Sequence, residues 1–204
     1  MSREKGDYIT NWDKGQNFDP SDIYNQLKKD YAAKYDNLEE SEIDDYLNRI
    51  AYHESKGEWN AIQKVNDKYD KEGNVISLKD GPGRGLFQFE IGKGGGAQTA
   101  IQRFKNYYKD DPAMSKVNIP EDFSTLPPDM QKALFMTNMM YIPNRGGDHV
   151  EANLSSVKKH GDKGLENFWI NYHWAGYKVD PDSTEARRAS WNKDQEIYDK
   201  RILD

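Results

Sequence analysis

The chain contains no cysteine, which excludes disulfides, thiolate metal sites and a cysteine nucleophile. It also lacks any apolar run near the ~20 residues of a membrane-spanning helix, so no membrane insertion is expected. The first ten residues, MSREKGDYIT, lack the apolar core of a secretory signal. If the protein works outside the cytoplasm, something other than a signal peptide is expected to carry it there. Histidine is scarce, and His53, His149, His160 and His173 make no His-Glu-x-x-His or similar ligand spacing. No metal and no cofactor are therefore expected. A cationic excess is missing too: 29 Lys and Arg stand against 35 Asp and Glu, for a net charge of −6. That balance excludes the basic footprint of a nucleic-acid-binding protein. Residues 1–58 hold 14 of the acidic and 8 of the basic side chains, which leaves 21 of each in the remainder, so the acidity belongs to the N-terminal third.

Hydrophobic residues make up only 35% of the chain and charged residues 31%, but 13 Tyr, 7 Phe and 5 Trp supply large side chains for a core. Helix signals start at Asp19-Pro20-Ser21-Asp22 and run to about Tyr35. A second helix is expected from Ser41 as N-cap, with acidic residues in its first turn and Gly57 beyond its end. Its apolar residues Ile43, Leu47, Ile50 and Ala51 share one face. Between Trp59 and Lys79 the period changes, and Asp70-Lys71-Glu72-Gly73-Asn74 predicts the turn of a small hairpin. Helices are expected again at about 97–109, 129–141, 148–159, 164–173 and 190–202. The order predicts an α+β fold dominated by α-helix, with residues 1–40 as an acidic leader and helical arm and 41–204 as one compact domain.

Glu54 is the residue best placed for chemistry. It lies 4, 7 and 11 residues after Ile50, Leu47 and Ile43, so it extends the apolar stripe of its helix toward the core side. Burial and the negative end of a helix dipole both favour the protonated form of a carboxyl so placed. A carboxyl held protonated near neutral pH is what a glycosidic leaving oxygen requires of a general acid. The structural alternative is an ion pair with Arg49 or Lys56 at a frayed helix end. Gly92-Lys93-Gly94-Gly95-Gly96 is no phosphate loop, because its Lys precedes the glycines and no Lys-Ser/Thr pair follows.

Glu54-Ser55 is followed by Asn60-Ala61 and, about thirty residues on, by Gly83-Arg84-Gly85-Leu86-Phe87-Gln88. Asn171-Tyr172-His173-Trp174-Ala175-Gly176 comes late in the chain. This succession resembles the soluble lytic transglycosylase and goose-type lysozyme superfamily. There a helix ends in Glu-Ser, an Asn-Pro-x-Ala segment follows, a Gly-Leu-Met-Gln element returns after a hairpin, and an Ala-Tyr-Asn-Ala-Gly motif comes late. The proline of the second motif is missing here, and the late motif carries one extra residue with His173 in the place of Asn.

The resemblance implies a lysozyme-like domain that cleaves peptidoglycan between N-acetylmuramic acid and N-acetylglucosamine, with Glu54 as catalytic acid. It implies substrate-binding roles for Ser55, Gln88, Tyr172 and His173. It further suggests a lytic transglycosylase of a phage virion or lysis system, held in virion or host cytoplasm and acting in the periplasm. Other virion proteins are candidate partners of the N-terminal arm. A muramidase hydrolase would need a second carboxylate, for which Asp80 and then Asp67 are the candidates beside the hairpin. A virion structural module that keeps the fold without catalysis, and an acidic helical interaction protein, are the readings outside enzymology.

Overall fold

The computed structural model describes residues 12, 15–34, 38–140, 157, 163–170 and 181–203. In chain order it holds α1 (Pro20–Lys34), α2 (Glu40–Ser55), β1 (Ile62–Tyr69), β2 (Val75–Arg84), β3 (Phe89–Glu90) and α3 (Gly96–Tyr107). A 3-10 turn (Phe123–Thr125), α4 (Pro128–Met140), α5 (Gly164–Phe168) and α6 (Pro181–Leu203) follow. The fold is α+β and mainly helical. Apart from Val157, the helix expected at 148–159 lies outside the described residues, as does the Asn171–Gly176 element with Tyr172 and His173.

Pro20 opens α1, where a missing N–H costs nothing, and the Asp19 carboxylate accepts the Ser21 N–H at 2.9 Å. Ile23, Tyr24, Leu27 and Tyr31 form the buried stripe of α1, which packs against α4 and α2. These side chains belong to the same core cluster as Leu47, Phe104 and Phe135. The boundary drawn at residue 40 therefore does not separate two cores.

The cap of α2 differs from the expected Ser41. Glu39 is the N-cap, and Glu42 reaches back to accept its N–H at 2.8 Å. The helix closes through Lys56 in the left-handed region at φ 57°, with Gly57 following at φ 78°. Ile43, Leu47 and Ile50 are fully buried, as their spacing requires.

The sheet is antiparallel in the order β1-β2-β3. Tyr69 faces Val75, Asn66 faces Leu78 and Lys64 faces Asp80 across the hairpin. Its turn is built by Asp70, whose carboxylate accepts the N–H groups of Glu72 at 3.0 Å and Asn74 at 2.8 Å. The hairpin projects: Tyr69, Ile76 and Leu78 stay exposed, while Gly81, Gly83 and Arg84 at its base are buried. The two-residue β3 and the 3-10 turn were not expected, because elements so short carry no period.

α4 is the central helix, with Met130, Ala133, Leu134, Phe135, Met136 and Met139 all buried. Phe87 stacks on Phe135 with ring centroids 4.3 Å apart, which ties the segment after β2 to this helix. α6 starts nine residues before the expected Ser190, at Pro181. Proline suits a first helical position, and Glu185, Ala186, Arg187 and Arg188 are good helix formers.

Candidate active site

Glu54 sits half-buried in the last turn of α2. Its Oε1 accepts the indole N–H of Trp169, just beyond α5, at 2.5 Å. Neither basic neighbour on its own helix is turned toward it in an ion pair. Arg49 binds Asp45 at 2.8 Å and Asp199 at 2.7 Å, and Lys56 binds Asp194 at 2.6 Å. Arg187 of α6 lies in the field of Glu54, which works against the lowering of its pKa by burial.

Behind Glu54 stands a set of rings that the sequence did not announce. Trp169 and Trp191 stack at 5.2 Å, and the His53 ring meets Trp169 edge-on at 4.3 Å. His53 Nδ1 lies 2.9 Å from Asp194 Oδ2, so in its neutral form Nδ1–H is the donor to that carboxylate. Burial pushes the imidazole below its ordinary pKa, against the opposing pull of Glu54 and Asp194. Arg188 of α6 pairs with the buried Glu166 of α5 and donates to Asn167 at 3.1 Å. α6 thus clamps α2 and α5 together, and the clamp fixes the indole that holds Glu54. The only signal in the sequence was indirect: a buried Trp must place its N–H somewhere.

The Gly85–Gln88 turn lies beside the same helix end, since Leu86 lines one cavity with Ala51 and Gly57. Gly85 takes φ 73°, and a Cβ there would collide with Gln131 Oε1. Gln131, buried on α4, accepts the Leu86 N–H at 2.6 Å and donates to Trp59 O at 2.8 Å and Leu126 O at 2.9 Å. This amide, which sequence reasoning missed, fixes the turn. Leu86, Phe87 and Phe89 are buried, while Gln88 is half-buried in the left-handed region at φ 49°. Gln88 Nε2 donates to Gly85 O at 2.8 Å, so one of its amide protons serves its own turn.

The other expected site residues have local partners. Ser55 Oγ donates to Ala51 O at 2.9 Å, a bond back along its own helix. Asp80 pairs with Lys64 across the hairpin, which holds its carboxyl below the usual range. Asp67 lies 3.4 Å from Lys79 and accepts the Ser77 hydroxyl at 3.2 Å. Both carboxylates thus act in cross-strand pairs of the projecting hairpin.

Among the described residues no group of three or more His, Asp or Glu could hold a metal ion, and no helix is long and apolar enough to cross a membrane. No protein-family model, no curated protein and no solved structure matches the chain.

Proposed function

We propose that the protein cleaves the glycan strands of peptidoglycan as a lytic transglycosylase, on a lysozyme-like fold, with Glu54 as acid and then base. The observation that carries this reading is Glu54 itself: a half-buried carboxyl at a helix end, oriented by the Trp169 indole at 2.5 Å. Trp169 fixes one carboxyl oxygen as an acceptor, so the proton is delivered from the other. Protonation of the bridging oxygen lets the bond to muramic C1 break, with its electron pair leaving on the N-acetylglucosamine oxygen. The resulting carboxylate takes the proton of the muramic C6 hydroxyl, whose oxygen closes on C1 to give a 1,6-anhydro end. No water is consumed, and no second carboxylate is needed. Asp80 and Asp67, engaged with Lys64 and Lys79, favour this route over a hydrolase. Gln88 spends one amide proton on Gly85 and offers the sugar acetamide its second proton and its oxygen.

Mass spectrometry of products from purified peptidoglycan tests the reading, because anhydro and reducing ends differ by one water. Anhydro products are expected from the unaltered chain, and a loss of ~10²–10⁴-fold from Glu54→Gln with the fold retained. Reducing ends would turn the reading to a hydrolase. Glycan binding without any cleavage would make the protein a non-catalytic module.

A further inference from the structure

A second feature of α2 lies round the helix from Glu54, at the helix end that the Gly85–Gln88 turn flanks. Asn48 and Tyr52 stand about 120° and 160° round the helix from Glu54, at ~100° per residue. They line a cavity of about 270 Å³ together with Trp59, Leu86, Lys132 and Tyr198. Three of its walls are aromatic, and Lys132 of α4 is the cation among these residues.

Among the described residues Lys132 has no carboxylate at ion-pair distance. Its amine stands 5.3 Å from the centroid of the Tyr24 ring. Asp44, the carboxylate of α2 on this side, is already engaged at both oxygens: Oδ2 by Lys28 at 2.6 Å and Oδ1 by the Tyr24 hydroxyl at 2.6 Å. Asp129 of α4, like Asp44, contributes its field to Lys132 without an ion-pair contact. Burial pulls the Lys132 amine below its ordinary pKa, against the fields of Asp44 and Asp129. A half-buried amine without a direct counter-ion is stabilised by an anion that brings its own charge into the cavity.

We infer that this cavity is a binding site for a small organic carboxylate with a flat apolar body, its carboxylate on Lys132 and its body between Tyr52, Trp59 and Tyr198. The size sets the class of ligand. A cavity of ~150 Å³ takes one benzene ring, so this one has room for two fused rings. Leu86 of the Gly85–Gln88 turn lines the cavity but neither Glu54 nor Gln88 does, so its occupancy is read apart from glycan cleavage.

The probe is 2-naphthoate, compared with neutral 2-naphthamide, by isothermal titration calorimetry on the full chain. The acid is expected to bind at least about tenfold more tightly than the amide, the usual scale of a charge-assisted bond. Lys132→Met, which keeps the length of the side chain, is expected to remove that preference while the amide binds as before. The acid–amide comparison needs no variant, so it decides even if Lys132→Met does not fold. Equal binding of acid and amide, no binding of either, or an undiminished preference in a folded Lys132→Met would each overturn the assignment.

Discussion

A primary amide offers two donor protons and one acceptor oxygen, and Gln131 uses all of these in the core. Gln131→Leu keeps the volume but leaves the Leu86 N–H and the carbonyls of Trp59 and Leu126 without this partner. The expected cost is roughly 3 kcal/mol, read as a shift in the urea midpoint at unchanged slope. Gly85→Ala acts on the same contact from the other side. It forces a Cβ into the left-handed region and against Gln131, so it is expected to destabilise by at least ~1–2 kcal/mol. Trp169→Phe separates support from chemistry. The stacked ring remains against Trp191 and His53, but the N–H on Glu54 is gone. That N–H supports the carboxylate that forms as Glu54 gives up its proton. A bond to a charged group is worth ~1.5–3 kcal/mol, so turnover is expected to fall about tenfold or more with little change in the melting temperature of the resting protein. A Trp169→Phe protein with full turnover would remove the indole from the proposed mechanism. Glu54 was legible because a carboxyl on an apolar stripe contradicts its surroundings. Gln131 was not, since one Gln within a mixed helix carries no such contradiction, and its partners are 45 and 72 residues away in the chain.

At the scale of elements, α1, α2 and the Asp70 turn follow from capping residues, apolar spacing and turn chemistry, all local causes that a sequence displays. What the sequence did not display was which faces meet. The acidic segment 1–40 read as a leader and helical arm, yet the stripe of Ile23, Tyr24, Leu27 and Tyr31 on α1 is core, with Leu27 fully buried. Net charge reports the exposed face of a helix, and a few buried positions decide where the helix packs. Deleting residues 1–34 is therefore expected to abolish cooperative unfolding rather than free a catalytic domain, because four large side chains leave the core together. Circular dichroism melting of the truncated chain checks this, and a sharp transition near the full-length temperature would show α1 to be dispensable. The hairpin should behave in the opposite way. Its tip buries almost nothing, and Asp80 and Asp67 serve register there, so Asp80→Asn is expected to leave turnover near the original level. A loss comparable to that of Glu54→Gln, with reducing products, would restore the hydrolase reading.

Across the whole molecule the surplus of negative charge lies toward the N-terminal third, but among the described residues an ionisation that couples stability to pH near neutrality sits where α2 meets α6. His53 packs against Trp169 and Trp191, faces Asp194 from α6, and shares its helix with Glu54 and Lys56. Burial lowers its pKa in the folded chain, so the unfolded chain takes up the proton first. Its contribution to stability is then fully present above the unfolded value, ~6.5, and is lost as pH falls from there through the folded value. Asp129 carries the opposite sign. Burial raises its folded pKa, so its contribution is present below the unfolded carboxylate value and is lost as pH rises through the folded one. Among the described residues it is the contribution of His53 that acidification from neutral pH removes. The melting temperature is expected to fall between pH 7.5 and 5.5, and His53→Gln, which keeps a donor for Asp194, is expected to flatten that slope. Scanning calorimetry of the two proteins across this range makes the comparison. Parallel slopes would place the proton elsewhere and leave the ring clamp behind Glu54 indifferent to pH.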